Sequence, residues 1–301
     1  MKFFLRIIYY IFSLFPDFVI YGVAKGVAFL LLYVFRFRRK IVQYNLDLVY
    51  GQNKWEASLL KEIYFHFGLT AVELLQQPVK SSEQLMEKVS SVNDEVYLEA
   101  LKKGKGVLIM TGHYANWEKC ILKIAELGNK VNVVIKDVKG LEKGYFSSTF
   151  REPHKINCWE KDGKVLLSIF RALKRGETVC MVMDQNSKRT EGCFVDFMGE
   201  SCSTYASPLF VAAKTGAVVI PTTAYRNEDK LTQTVHFHDS MTFAKEEADE
   251  KSVQINTQKV TDYLSQALYD HPAYWIWMHK RWKTRPLIEK TEGLKVDYSG
   301  T

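Results

Sequence analysis

His113 and Glu118 stand five positions apart in Thr111-Gly112-His113-Tyr114-Ala115-Asn116-Trp117-Glu118, at the point where a short apolar strand gives way to a helix. Imidazole is the side chain that most readily takes and gives a proton near neutral pH, and a carboxylate on one ring nitrogen fixes which nitrogen is free to do so. With Glu118 accepting from one nitrogen, the other could take a proton from a substrate hydroxyl. On an ideal helix five positions separate two side chains by roughly 140°, at about 100° per residue. The pair can therefore meet only if Gly112 to Asn116 is a turn. A hydrogen-bonded structural histidine is the competing reading, because paired titratable groups are often structural. No enzyme nucleophile stands beside the pair.

The elements that would position these residues alternate. Gly106 to Met110 reads as a buried strand, and Trp117 to Leu127 as a helix closed by Gly128. Before them, Trp55 to Gln77 reads as an amphipathic helix and Ser81 to Lys103 as a helical or strand-and-helix segment. After them come a strand at 131–135, a helix at 162–174, a strand at 178–183, a helix at 205–215 and a strand at 217–223. A strand near Thr232 to His238 and a helix from Val253 to Tyr269 complete the chain. Such alternation predicts an α/β fold, a mixed and mostly parallel sheet flanked by helices. Ligands in open sheets of this kind bind beyond the carboxyl ends of the strands. His113 and Asp184 both follow strands closely, so they could share one rim.

The 301 residues are 47% hydrophobic, enough for a sizeable core, and show no linker, repeat or low-complexity tract. The formal net charge of +7 suits a membrane surface, an acidic carrier protein or an acidic substrate. It would also suit nucleic acid, but no zinc-ligand spacing, aromatic ribonucleoprotein box or helix-turn-helix signature accompanies it, so nucleic acid is not expected as a partner. The five cysteines, Cys120, Cys158, Cys180, Cys193 and Cys202, form no CxxC pair and are odd in number. They read as reduced, mostly buried thiols. No Gly-x-Ser-x-Gly elbow marks a serine hydrolase.

Lys2 to Phe35 is the apolar part of the chain and is divided by Pro16-Asp17. Phe18 to Phe35 holds 18 residues with Lys25 as its only charge. As a helix it would reach roughly 27 Å, marginal for a hydrocarbon core of ~30 Å. Spanning the bilayer and lying in its interface are both open, and a buried core helix pair is a third reading. A cleaved signal peptide is not expected, since the apolar stretch is too long and no small-x-small site follows it. If the segment spans, Arg36, Arg38, Arg39 and Lys40 after it outweigh Lys2 and Arg6 before it and place the rest of the chain on the cytoplasmic side. The economical division is an anchor at 1–40 and a single domain at 41–301.

Several segments together resemble the late acyltransferases of lipid A biosynthesis, the lauroyl and myristoyl transferases of Gram-negative bacteria in the lysophospholipid acyltransferase superfamily. They are the apolar amino terminus, the basic run from Arg36 to Lys40 leading to Asn45-Leu46, the His113-x4-Glu118 box, and Met183-Asp184-Gln185. Val195-Asp196-Phe197-Met198-Gly199 resembles the family's Phe-Phe-Gly loop, with methionine in place of the second aromatic. The run from Pro272 to Pro286, with Trp275, Trp277 and Trp282 among His279, Lys280, Arg281, Lys283 and Arg285, is similar to its carboxy-terminal signature and is the most specific match.

The resemblance implies transfer of a fatty acyl chain from an acyl-carrier-protein or acyl-CoA thioester to a hydroxyl of a lipid A precursor, at the inner membrane and on its cytoplasmic side. His113 would be the general base and Glu118 its orienting partner. Asn116, Arg151, Asp184, Gln185, Lys280, Arg281 and Arg285 are the candidate substrate-binding residues. Arg151 would hold lipid phosphate or polarise the thioester carbonyl, and Phe197 and Gly199 would shape a loop against the acyl chain. The closing tryptophans and cations would lie at headgroup level, or pack as a core strand with the basic residues solvated. No covalent enzyme intermediate, metal or bound cofactor is called for. Other membrane glycolipids or aminolipids are alternative acceptors, and a non-catalytic lipid-binding protein of the same fold is the rival from another class.

Overall fold

The structure, a computed structural model, describes residues 2–52, 54–128, 130–135 and 145–286. Helices α1 (Lys2–Ser13) and α2 (Asp17–Phe29) are separated at Pro16, which has no N–H to continue a helix. Helix α2 runs on through a π-helical turn at Leu30–Val34, followed by α3 (Arg39–Tyr50) and α4 (Ala57–Gln76). Ile20, Ala24, Ala28 and Leu32 recur at every fourth position and form the buried stripe of α2, which packs on α4. The two helices are close enough that a Cβ on Gly68 of α4 would come within 3.0 Å of the Ala24 carbonyl oxygen. Burying Ile20 and Leu32 contributes roughly 3–6 kcal/mol, enough to hold α2 against the body. The other face of the same helix leaves Phe18, Phe29, Leu30, Val34 and Phe35 exposed. One side of this apolar segment is thus core, and the other is exposed.

A short helix α5 (Ser82–Met86), capped by the Ser81 side chain, leads to β1 (Val89–Val92), α6 (Asp94–Lys102) and β2 (Val107–Thr111). Next come α7 (Trp117–Leu127), β3 (Val131–Ile135), α8 (Tyr145–Phe150), β4 (Asn157–Glu160), α9 (Val165–Lys174) and β5 (Thr178–Val182). A hairpin of β6 (Gly192–Phe197) and β7 (Glu200–Tyr205) precedes α10 (Ser207–Thr215), β8 (Val218–Arg226), β9 (Gln233–Phe237), β10 (Met241–Thr242) and α11 (Glu250–Asp270). The main sheet runs β1-β9-β8-β2-β5-β3-β4, with β10 also paired to β8. Strands β8, β2, β5, β3 and β4 are parallel neighbours, whereas β9 and β10 run antiparallel to β8. Every residue of β2 is buried, as expected of a central parallel strand covered by helices on both faces.

Most expected elements are present, and β8 runs three residues past its expected end. The β6–β7 hairpin was not anticipated as a pair of strands, since Glu200–Tyr205 is largely polar. Its turn places Met198 at φ 53° and Gly199 at φ 77°, two successive positive values that match the twist of a tight hairpin. Phe197 does not line the His113 cavity described below. It is fully buried between Trp275 and Trp282, under the Arg281 guanidinium.

Candidate active site

Parallel pairing of β2 with β5 sets Thr111 opposite Val182, and the next ladder bond, from Met183 N–H to the Thr111 carbonyl, extends it. His113 and Asp184 each lie two residues beyond that pair, so the register brings them side by side at the carboxyl rim of the sheet. Asp184 accepts the backbone N–H of His113 at 2.7 Å and lies 3.0 and 3.2 Å from its ring Nδ1 through its two oxygens. The Trp275 indole N–H donates to the same carboxylate at 2.7 Å. Gly112 is required between strand and histidine, because a Cβ there would fall 2.4 Å from the Tyr114 ring and 3.1 Å from Asp184 Cβ. Ala115 takes positive φ, its N–H donating to Tyr274 and its carbonyl accepting from the Thr70 hydroxyl. Gly112 to Asn116 is therefore a turn, clamped from two sides.

This turn does not bring Glu118 to the imidazole. Glu118 lies in the first turn of α7 and binds the Arg151 guanidinium through two bonds, at 2.9 Å from Nε and 2.7 Å from Nη2, with the Trp117 indole as a third donor. A guanidinium matches both carboxylate oxygens at once, a geometry no single imidazole N–H can equal. The expected orienting role of Glu118 on His113 is corrected accordingly: the carboxylate bonded to the ring is Asp184.

Burial opposes ionisation of Asp184, but the charge of His113, the bonds from its ring and backbone N–H, and the Trp275 indole outweigh it and hold this carboxyl well below its usual range. Burial likewise opposes charging of His113. The Asp184 carboxylate and its hydrogen bond, reinforced by the charge of Glu118 and opposed by Arg151, nevertheless raise its pKa above the ordinary value. With Nδ1–H donating to Asp184, the lone pair of the neutral ring sits on Nε2. The Gln185 side-chain amide lies 3.4 Å from that nitrogen.

His113, Gln185, Glu118 and Arg151 line one cavity of about 630 Å³. Its walls are mainly apolar: Ile121 of α7, Val133 to Ile135 of β3, Val165 of α9 and Cys180 to Met183. His279, Lys161 and Tyr205 also line it. Burial presses the His279 pKa down to about 4, so that imidazole is neutral at pH 7. Among the described residues no group of three or more His, Cys, Asp or Glu side chains is placed to hold a metal ion. The arrangement can accept an apolar chain and present it to a base whose second nitrogen meets the Gln185 amide at 3.4 Å.

A model of the bacterial lipid A biosynthesis acyltransferases matches residues 1–284. The chain belongs to this family. No curated protein matches it. Members of the family are membrane-associated, and among the described residues this acyltransferase carries one helix, Asp17–Val34, long and apolar enough by length and composition to cross a membrane.

Within this lipid A acyltransferase family member, other expected site residues prove to be internal supports. Asn116 caps α7 by accepting the Lys119 N–H and donates from its side chain to Glu73, while its own N–H donates to Gln233. Glu73 in turn binds Lys119 and Arg226, a buried ion cluster that fixes the start of α7 to α4 and β8. Of the two expected placements of the closing signature, the tryptophans take the inward one and do not form a headgroup belt. Trp275, Trp277 and Trp282 are almost fully buried and pack on one another at 5.2–6.4 Å between ring centroids, in the loop that follows a short 3₁₀ turn at Pro272–Tyr274 rather than in a strand. Arg281 is fully buried, donating to the Gln185 and Ser203 carbonyls, and Arg285 binds Glu200. Lys280 is half-buried outside the cavity lining. The carboxy-terminal signature also holds the amino-terminal one: Asn45 donates to the Trp277 and His279 carbonyls and Arg38 to that of Met278. Trp275 and His279 were missed as site residues because the Asp184 contact and the cavity position arise only from the tertiary fold.

Proposed function

We propose that this acyltransferase moves a fatty acyl chain from an acyl-carrier-protein or acyl-CoA thioester to a hydroxyl of a lipid A precursor, with His113 as general base. The observation that carries this reading is the Asp184–His113 bond, which commits Nδ1 and leaves Nε2 facing an apolar cavity. The acceptor oxygen attacks the thioester carbonyl as His113 Nε2 takes its proton. The tetrahedral intermediate collapses with loss of the thiolate, which the imidazolium reprotonates, giving an ester and a free thiol. Attack is direct, so no acylated side chain is formed.

Arg151, held at the cavity wall by Glu118, is the cation suited to the developing oxyanion. Glu118 thereby acts through Arg151. The apolar walls from β3, α7 and β5 suit the acyl chain. The exposed apolar face of α1 and α2 supports an inner-membrane location, and the basic run Arg36, Arg38, Arg39 and Lys40 supports a cytoplasmic-side orientation.

Mass spectrometry of lipid A from cells with and without the gene, complemented by wild type or His113→Ala, tests this function. Loss of one acyl mass on deletion, restored by wild type and not by the variant, is the expected result. Unchanged lipid A on deletion would overturn the acceptor assignment.

A further inference from the structure

A second concavity, of about 290 Å³, lies between α2 and α4 and shares no lining residue with the His113 cavity. Ala28, Leu32 and Phe65 are its buried lining, and Phe29 and Tyr33 are its exposed walls. Three lysines border it, Lys25, Lys61 and Lys230, against the single carboxylate of Glu62. The Lys25 ammonium sits 4.6 Å above the Tyr21 ring and that of Lys230 5.8 Å above the Phe65 ring. Those two rings pack at 4.9 Å, which gathers both ammonium groups over one aromatic pair. Lys61 stands one turn before Phe65 on the same face of α4. Among the described residues none of the three lysines is ion-paired.

We propose that this groove is a binding site for an anionic glycerophospholipid, one acyl chain lying along Leu32, Phe29 and Tyr33 and the phosphate meeting Lys25, Lys61 and Lys230. Two observations select this occupant. The exposed walls of the groove, Phe29 and Tyr33, adjoin in sequence the exposed Leu30, Val34 and Phe35 of the same helical run, so a lipid enters sideways from a bilayer without crossing water. The excess of cations over carboxylates at its rim favours a negatively charged headgroup over a zwitterionic one. A polar protein partner would leave the apolar lining facing hydrated groups. The site holds a structural lipid at the junction of the amino-terminal helix with the body, apart from the acyl-transfer chemistry.

Native mass spectrometry of the full-length chain in detergent, offered equal amounts of phosphatidylglycerol and phosphatidylethanolamine, tests the proposal without reading acyl transfer. Wild type is expected to retain one phosphatidylglycerol in preference to phosphatidylethanolamine. At roughly fivefold in affinity for each lysine near a lipid headgroup, K25Q/K61Q/K230Q should weaken phosphatidylglycerol retention about a hundredfold. K25Q/K61Q should weaken it by roughly twenty- to thirtyfold on the same scale. K102Q/K103Q/K105Q, exposed at the end of α6, should behave as wild type. Equal retention of the two lipids by wild type, or undiminished phosphatidylglycerol on the triple variant, would overturn the site. Equal losses in the groove and α6 variants would reduce it to non-specific charge attraction and overturn it too.

Discussion

Asp184 accepts both the backbone N–H and the ring Nδ1 side of His113, 71 positions earlier in the chain, so a single carboxylate fixes the position and the tautomer of the imidazole. The bond depends on β2 and β5 being parallel neighbours in a register that places Thr111 opposite Val182. A slip of either strand by one residue would turn one partner to the opposite face of the sheet. Sheet pairing is therefore the first determinant of the chemistry, ahead of the local spacing of the His113-x4-Glu118 box.

Glu118 is expected to matter through Arg151. The pair is buried, with side-chain exposures of 1% and 9%, so Glu118→Ala leaves an uncompensated guanidinium in the cavity wall. Unfolding by urea should show a loss of about 3–5 kcal/mol, and pairing Glu118→Leu with Arg151→Met should recover most of it. A single substitution costing under about 1 kcal/mol, the range of exposed ion pairs, would show that the contact is not the buried support it is taken for.

Acid should destabilise the fold through histidines that must stay neutral. Burial, with the nearby positive charges of Arg226 and Lys230, lowers His66 to about 3, and burial lowers His279 to about 4. Both folded-state values lie below the unfolded value of about 6.5, so the stability these groups contribute is present above pH ~6.5 and is lost as pH falls toward the folded values. His113 has the opposite sign: its raised pKa contributes stability below pH ~6.5 that is lost as pH rises through the raised value. Denaturant titrations from pH 7 to pH 5 should give stability falling with acid. His66→Phe should reduce the slope by about 1.4 kcal/mol per pH unit, one proton's worth. An unchanged slope would remove His66 from the account.

The β3 wall of the cavity should set acyl length. Val133 lines the cavity and is 4% exposed, so Val133→Phe adds bulk where the chain would lie. Competition between thioesters of different length should shift toward the shorter chain, at a stability cost of about 1–3 kcal/mol for overpacking. An unchanged length preference would place the acyl chain elsewhere.

Much of the architecture was legible because it is local. The strands at 107–111 and 131–135 and the helix at 117–127 follow from apolar runs, periodicity and Gly128, and alternation led to the parallel sheet. Asp184 and His113 could be placed on one rim, since both follow strands. That Asp184 bonds the ring and Glu118 does not was illegible, because it depends on strand order and on an arginine 33 positions beyond Glu118. The closing signature left two placements open for a different reason. Tryptophan interleaved with cations is the same pattern whether it lies at a bilayer surface or packs inward with a buried arginine, and only the burial of Trp277 and Arg281 separates the two.

The dependence of acyl-transfer rate on pH, compared between wild type and Asp184→Asn, tests the central claim most directly. Asparagine keeps the size of the side chain but removes the charge that raises the His113 pKa and turns one of the two acceptor oxygens into an N–H donor, so the side chain no longer dictates the imidazole tautomer. The account predicts that kcat falls by roughly 10²- to 10⁴-fold, the usual contribution of a positioned base, and that the acid limb moves to lower pH. A variant with wild-type rate and an unmoved acid limb would contradict the assignment of His113 and Asp184 as base and orienting partner.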